Sequence, residues 1–139
     1  MNKLVIIDYG VGNLYSLQQA CSAVGLDTLI TNKKKEIFNA RGVILPGVGA
    51  FGNAMEHLNR LDIVDEIRLF AKSGKTLLGL CLGMQLLMKK SSEFGEHKGL
   101  NLIDGKIEHM KKYTKKIPTL GAWIGTIIAI IGTGLIFIY

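Results

Sequence analysis

A cysteine at position 81 stands in a pattern typical of a catalytic nucleophile. It follows a short apolar run, has Gly79 and Gly83 on either side, and is followed by a helix-like stretch. This is the nucleophile-elbow pattern with cysteine in place of serine. Such a turn strains the backbone and raises the sulfur above the sheet, where a helix N-terminus favours a thiolate and the Leu82 N–H can face an oxyanion. The alternative is a buried, purely structural cysteine in a strand-to-helix turn.

A glycine-rich segment, residues 46–49, is the second candidate part of a site. It follows the apolar run 42–45, so parallel strands would open its loop on the same sheet edge as Cys81. At that edge, the backbone N–H groups of a glycine-rich loop can point toward the substrate atom that the nucleophile attacks. Nucleotide binding is the competing interpretation, because residues 47–52 match G-x-G-x-x-G. We disfavour it, since this match does not follow the first strand and a helical stretch at 63–70 replaces the expected ribose-binding acid.

Strand and helix patterns alternate through residues 1–118, which predicts a mostly parallel sheet with helices on its faces. Apolar runs between glycines give the strands, and apolar residues at helical spacing give the helices. The predicted strands are 4–7, 28–31, 42–45, 75–80 and, near the sheet edge, 105–110; the predicted helices are 14–24, a helical region from the 46–49 loop to about residue 73, and 84–90.

Composition narrows the class of protein. The 139 residues are 48% hydrophobic and 20% charged, which excludes a disordered or low-complexity chain. Two cysteines, Cys21 and Cys81, are too few for a disulfide framework, so a cytoplasmic location is expected. Four lysines between positions 111 and 116 account for most of the net charge of +6, which gives nucleic-acid binding little support. No residues have metal-ligand spacing, and we expect neither metal nor other cofactor.

Three motifs in this order and spacing resemble class I glutamine amidotransferases. They are DYGVGNL at 8–14, LPGVGAF at 45–51 and GLCLGMQ at 79–85. Within that class they are most similar to the glutaminase subunit of imidazole glycerol phosphate synthase, and the likeness covers about residues 1–118. It implies the N-terminal part of a flavodoxin-like, three-layer α/β sandwich.

The resemblance also implies residue roles. Cys81 would attack the side-chain amide of glutamine, form a γ-glutamyl thioester and release ammonia, with the backbone of Val48, Gly49 and Leu82 as oxyanion hole. Gln85 and Glu93 would hold the substrate. A (β/α)₈-barrel synthase would be the heterodimer partner that receives the ammonia, and Asn13 would lie near that interface.

The sequence departs from the family after Pro118. The family completes its catalytic triad with a histidine and a glutamate in a later His-Pro-Glu element, and this chain has none. Of its three histidines, His57 is predicted on a solvated helix face and His97 in a loop. His109 is the one candidate for a substitute base. Without a base, turnover should be absent or very slow.

The last 21 residues, 119–139, contain no charged side chain, whereas all 28 charged residues lie in 1–118. The tail holds 14 apolar residues, and as a helix it would be about 31 Å long, roughly the hydrocarbon thickness of a bilayer. Out-of-frame translation after Pro118 is the favoured hypothesis; it predicts that another reading frame encodes the lost family motifs. A membrane segment is the alternative.

Two other functions stay open at this point. The chain could be a related glutaminase that serves another synthase, such as a sugar amidotransferase. It could also be an inactive, membrane-tethered remnant.

Overall fold

A computed structural model describes residues 3–109, and predicted features in 110–139, including the apolar tail, lie outside the described residues. Four parallel strands form the main sheet, in the order β2-β1-β3-β4. They are β1 (Leu4–Ile7), β2 (Thr28–Thr31), β3 (Gly42–Leu45) and β4 (Thr76–Gly79). These four strands confirm the sequence prediction, because short apolar runs bounded by turn residues are typical of strands buried in a parallel sheet.

Helices lie on both faces of this sheet, which gives the predicted three-layer α/β sandwich. They are α1 (Leu14–Ala23), α2 (Lys34–Asn39), α3 (Phe51–Arg60), α4 (Val64–Lys72) and α5 (Leu82–Leu86). Helices α2 to α5 share a core with Val5 and Leu45 on one face. Helix α1 packs on the other face, where Cys21 meets Ile6 and Ile44. The sheet therefore alternates its side chains between two separate apolar clusters.

The predicted helical region up to residue 73 is two helices rather than one. Helix α3 ends at Arg60, and Asp62 adopts a φ of 54° before α4 begins. Aspartate is one of the few residues that tolerate this left-handed conformation. The chain can therefore turn there and pack both helices on the same sheet face.

A second, three-stranded sheet follows α5, and it corrects two predictions. It contains β5 (Met88–Ser91), β6 (His97–Lys98) and β7 (Ile103–Ile107), in the order β6-β5-β7. The predicted helix 84–90 is wrong, since α5 ends at Leu86 and a strand begins at Met88. The strand predicted at 105–110 exists but begins at Ile103 and belongs to this small sheet rather than to the main one.

The carbonyls of residues 86–89 explain why the helix stops. They accept hydrogen bonds from the backbone N–H groups of residues 99–103, including Leu100 to Leu86 at 2.8 Å and Leu102 to Leu87 at 2.9 Å. These bonds replace the ones that a continuing helix would make. Among residues 3–109 no helix is long and apolar enough to cross a membrane.

Candidate active site

Cys81 occupies the sharp turn between β4 and α5. Its φ is 53° and its ψ is −117°, a combination that non-glycine residues rarely adopt, and its side chain is exposed. Holding such a residue there costs on the order of 1–3 kcal/mol and is common where a site needs one side chain in a fixed direction. The strained, exposed cysteine expected from the sequence is present.

Gly79 and Gly83 make this turn sterically feasible. A Cβ atom on Gly79 would lie 2.6 Å from the Cα of Met84, and one on Gly83 would lie 1.9 Å from the backbone oxygen of Leu45. Both contacts are with backbone, which cannot move aside. The G-x-C-x-G spacing is thus dictated by the close crossing of α5 over the ends of β3 and β4.

The glycine-rich loop 46–49 lies directly against the start of α5, as predicted. The Leu80 N–H donates to the Leu45 carbonyl at 3.0 Å. A Cβ on Gly47 would be 2.8 Å from the Gly83 nitrogen and 3.0 Å from the Cβ of Leu82. The 46–49 loop and the start of α5, which the sequence analysis predicts as the two parts of an oxyanion hole, are therefore in contact at one end of the sheet.

Three backbone groups in this region are predicted to form an oxyanion hole. Val48 is 59% exposed, and Gly49 has a φ of 94°. Leu82 is the first residue of α5, so its N–H lies outside the helical hydrogen-bond ladder while its side chain is buried. This availability suits an oxyanion, and the role itself stays a prediction.

Tyr9 is a feature of the site that the sequence analysis missed. Its hydroxyl is buried and donates to the Pro46 carbonyl at 2.6 Å, which ties the loop after β1 to the loop after β3. Desolvation by burial raises the pKa of Tyr9 to about 12, so the hydroxyl keeps its proton and remains a donor throughout the ordinary pH range. The available signal was a large aromatic residue inside the glycine-rich motif 8–14.

The histidines differ from their predicted settings. His57 is half-buried rather than on a solvated face, and its Nδ1 lies 3.0 Å from the Tyr9 carbonyl. His97 is in strand β6 rather than in a loop, and its ring packs closely on Gly52 of α3. His109 lies two residues beyond β7, with its ring edge-on to Phe94 at a centroid distance of 6.1 Å.

None of these histidines hydrogen-bonds the cysteine. Within residues 3–109, the Cys81 thiol has no hydrogen-bond or ion-pair partner. A thiol needs a base to remove its proton and later to activate water. The described part of the chain therefore holds a nucleophile and glycine-rich backbone, and His109 as substitute base stays a prediction.

The remaining predicted residues are Gln85 on α5, Glu93 after β5 and Asn13 before α1. Gln85 follows Cys81 by one helical turn, and its N–H donates to the Cys81 carbonyl at 3.3 Å. Glu93 follows β5, and its backbone N–H donates a hydrogen bond to the Ser91 hydroxyl at 3.2 Å. Asn13 caps α1, since its side-chain oxygen accepts from the Ser16 N–H at 3.1 Å. Substrate contact by Gln85 and Glu93, and partner contact by Asn13, stay predictions.

Comparison with known families identifies the domain. The family model of the CobB/CobQ-like glutamine amidotransferase domain matches residues 5–122. The chain belongs to this family. The match includes the Cys81 turn, the 46–49 loop and the motif at 8–14, the three segments that meet at one end of the sheet.

Curated relatives narrow the likeness further. The imidazole glycerol phosphate synthase subunit HisH of Sulfurimonas denitrificans is 47% identical over 122 residues, which is 85% of this chain and 59% of that protein. The subunit of the same name from Chlorobium chlorochromatii is 46% identical over 116 residues, with 84% and 58% coverage. The chain thus spans less than three-fifths of the length of these relatives.

A solved structure supports the fold. A crystal structure of a glutamine amidotransferase superposes with a TM-score of 0.65 over 80% of this chain and 59% of the other, at 21% identity. This agreement shows the α/β architecture of the amidotransferase domain.

Proposed function

We propose that residues 1–118 are the N-terminal part of a glutaminase domain that supplies ammonia to imidazole glycerol phosphate synthase. The observation that carries the proposal is Cys81, held exposed at a φ of 53° between two sterically required glycines and beside the 46–49 loop. The identity of 46–47% with two subunits of that synthase supports the choice of pathway.

The chemistry begins at the sulfur of Cys81. The thiolate attacks the side-chain carboxamide carbon of glutamine, and the carbonyl oxygen takes up negative charge in the tetrahedral intermediate. N–H groups of the loop at Val48 and Gly49 and of Leu82 would stabilise that charge. When the intermediate collapses, the C–N bond breaks, the nitrogen takes up the proton that the thiol gave up, and ammonia leaves. The γ-glutamyl thioester that remains is hydrolysed by water to glutamate.

Two residues would hold the substrate, and the chain would hand its product to a partner. Gln85, one helical turn after Cys81, and Glu93, just after β5, would bind the glutamine. The partner would be a (β/α)₈-barrel synthase, in a cytoplasmic heterodimer. Asn13 lies next to Gly12, where a Cβ would be 3.6 Å from the Pro46 side chain. A partner bound at Asn13 would therefore be close to the glycine-rich loop.

Turnover in this chain is expected to be slow. General-base catalysis contributes roughly 10²–10⁴-fold in rate, and no base contacts the thiol within the described residues. Alkylation of Cys81 by a glutamine analogue that carries a diazoketone needs less assistance than hydrolysis of glutamine. The diazo carbon takes up the thiol proton, dinitrogen leaves as the C–S bond forms, and no water has to be activated.

Labelling of the full chain with a glutamine-like diazoketone tests the proposal. Peptide mass spectrometry should find the adduct on Cys81, and an excess of glutamine should slow its formation while asparagine does not. Cys81→Ser should abolish the label and Cys21→Ser, the matched control in the buried core, should keep it. Equal labelling of both cysteines, or no protection by glutamine, would contradict a glutamine site at Cys81.

A second measurement addresses the partner. The barrel subunit of imidazole glycerol phosphate synthase from one of the related organisms should be retained by the immobilised chain, and Asn13→Arg should weaken that retention. Retention by a sugar amidotransferase synthase instead would redirect the proposal to a different pathway with the same chemistry.

A further inference from the structure

A basic pocket lies between helix α4 and the small sheet. It has a volume of about 330 Å³ and is lined by Arg68, Lys89, Lys90, Lys98, Gly99 and Asn101. Four of these six residues are cationic and none is acidic. We propose that this pocket binds a small organic phosphate through its dianionic phosphate group.

Arg68 forms the rigid side of the pocket. Its Nε donates to the Leu100 carbonyl at 3.0 Å, Nη2 to the Gly99 carbonyl at 3.3 Å and Nη1 to Asp65 at 3.0 Å. A guanidinium has five N–H groups, so two remain for a ligand. Because the group is already fixed in place, little side-chain entropy is lost when an anion binds.

Lys90 and Lys98 supply charge that the protein leaves uncompensated. They are directly opposed partners in the antiparallel pairing of β5 with β6. Like charges in that position destabilise a sheet. Within residues 3–109 neither lysine forms an ion pair. An anion placed between them would convert a repulsive pair into two favourable contacts.

The nearby carboxylates do not neutralise the pocket. Asp65 pairs with Arg68, and Asp104 approaches the Lys89 ammonium at 3.6 Å, but their side chains are 83% and 91% exposed. Exposed pairs of this kind are worth about 0–1 kcal/mol. Counting these two acids against the four cations leaves a local excess of two positive charges, enough to balance the charge of about −1.5 to −2 on a phosphate monoester.

The backbone that shapes the pocket is closely constrained. A Cβ on Gly99 would lie 2.1 Å from the Met88 carbonyl oxygen, so only glycine allows β5 and the 99–101 segment to approach. Asn101 has a φ of 53°, and its N–H donates to the same Met88 carbonyl at 3.1 Å. The backbone that carries these cationic side chains is therefore held in one conformation. The aliphatic parts of the lysine side chains can cover the carbon part of a ligand.

Calorimetric titration of the full chain tests this inference, with ribose 5-phosphate as probe and ribose as its uncharged counterpart. We expect saturable binding of the phosphate at low salt, a lower affinity as sodium chloride is added, and no binding of ribose. Nuclear magnetic resonance of the backbone amides should show the largest shifts at Gly99 and Asn101. Absence of saturable binding, or shifts spread over the surface, would overturn the proposal.

Two double variants of equal charge provide the control. Lys90→Gln with Lys98→Gln should weaken ribose 5-phosphate binding at least tenfold, whereas Lys33→Gln with Lys35→Gln, on the exposed start of α2, should change it less than twofold. An equal loss in both would show a non-specific charge effect and refute the pocket. Binding of a polyuridine 20-mer with no binding of the small phosphate would assign the surface to nucleic acid instead.

Discussion

The two faces of the main sheet are covered to very different degrees. Within residues 3–109, one face shares a cluster of 18 buried residues with helices α2 to α5, whereas the buried cluster on the α1 face holds three, Ile6, Cys21 and Ile44. The side chain of Leu78 on β4 is 48% exposed. Parallel sheets are normally buried on both faces. The stability of the described region therefore depends mainly on the face that carries α3 and α4.

Phe70→Ala should produce the largest effect, since Phe70 is fully buried in the 18-residue cluster. Removing a buried phenylalanine side chain costs about 3–5 kcal/mol of unfolding free energy. Urea denaturation of the full chain followed by circular dichroism would measure it. Leu69→Ala is the matched control, because Leu69 is the adjacent residue on the same helix and its side chain is 52% exposed. Similar losses in both variants would show that the α4 face is not the main source of stability.

Tyr9→Phe should have an intermediate effect that depends on pH. The change removes only the hydroxyl that donates to Pro46, at a cost of about 1 kcal/mol. Burial raises the pKa of Tyr9 from 10.0 to about 12. Between pH 10 and 12 the unfolded chain therefore loses this proton while the folded chain keeps it, so wild-type stability falls as the pH rises through that window.

Denaturation midpoints at pH 8, 10 and 11 would check this sign. Tyr9→Phe should lose less stability than wild type over the same interval, and Tyr15→Phe, an exposed tyrosine, should behave as wild type. Identical pH profiles for Tyr9→Phe and wild type would contradict burial of the hydroxyl.

Leu78→Thr should have the smallest effect on folding, within about 0.5 kcal/mol, because surface substitutions remove few contacts. Exposed apolar surface on a sheet favours self-association. The variant should accordingly bind less of a hydrophobic dye such as anilinonaphthalene sulfonate. A large loss of stability would mean that the α1 face is better covered than its exposed residues indicate.

Local pattern was sufficient for the main sheet and for the reactive turn. Strands β1, β3 and β4 are apolar runs that end in glycine-rich turns. The apolar run and the turn can both be recognised in the sequence without knowing which strands pair with each other. The crossing at Cys81 was predictable for the same reason, since Gly79 and Gly83 report a steric need that is local to the turn.

Features that depend on contacts between residues far apart in the sequence were not predicted. Strand β5, Met88–Ser91, contains two lysines and has no apolar run, and it forms because residues 99–103 take the carbonyls that would have continued α5. The hydrogen bond from Tyr9 to Pro46 spans 37 positions. Neither the hydrogen bond of Tyr9 nor the pairing of β5 could be inferred from residues that are neighbours in sequence. The second sheet and the link between the two loops therefore required the structure.

The strand order also has a consequence for synthesis on the ribosome. After β2 pairs with β1, the next strand β3 joins the free side of β1 rather than β2, and β4 then joins the outer side of β3. Chains emerge at about 5–20 residues per second. The edge on which the sheet grows therefore belongs first to β1, whose free side stays unpaired until β3 has been made, and it passes to the newest strand only once β3 is in place.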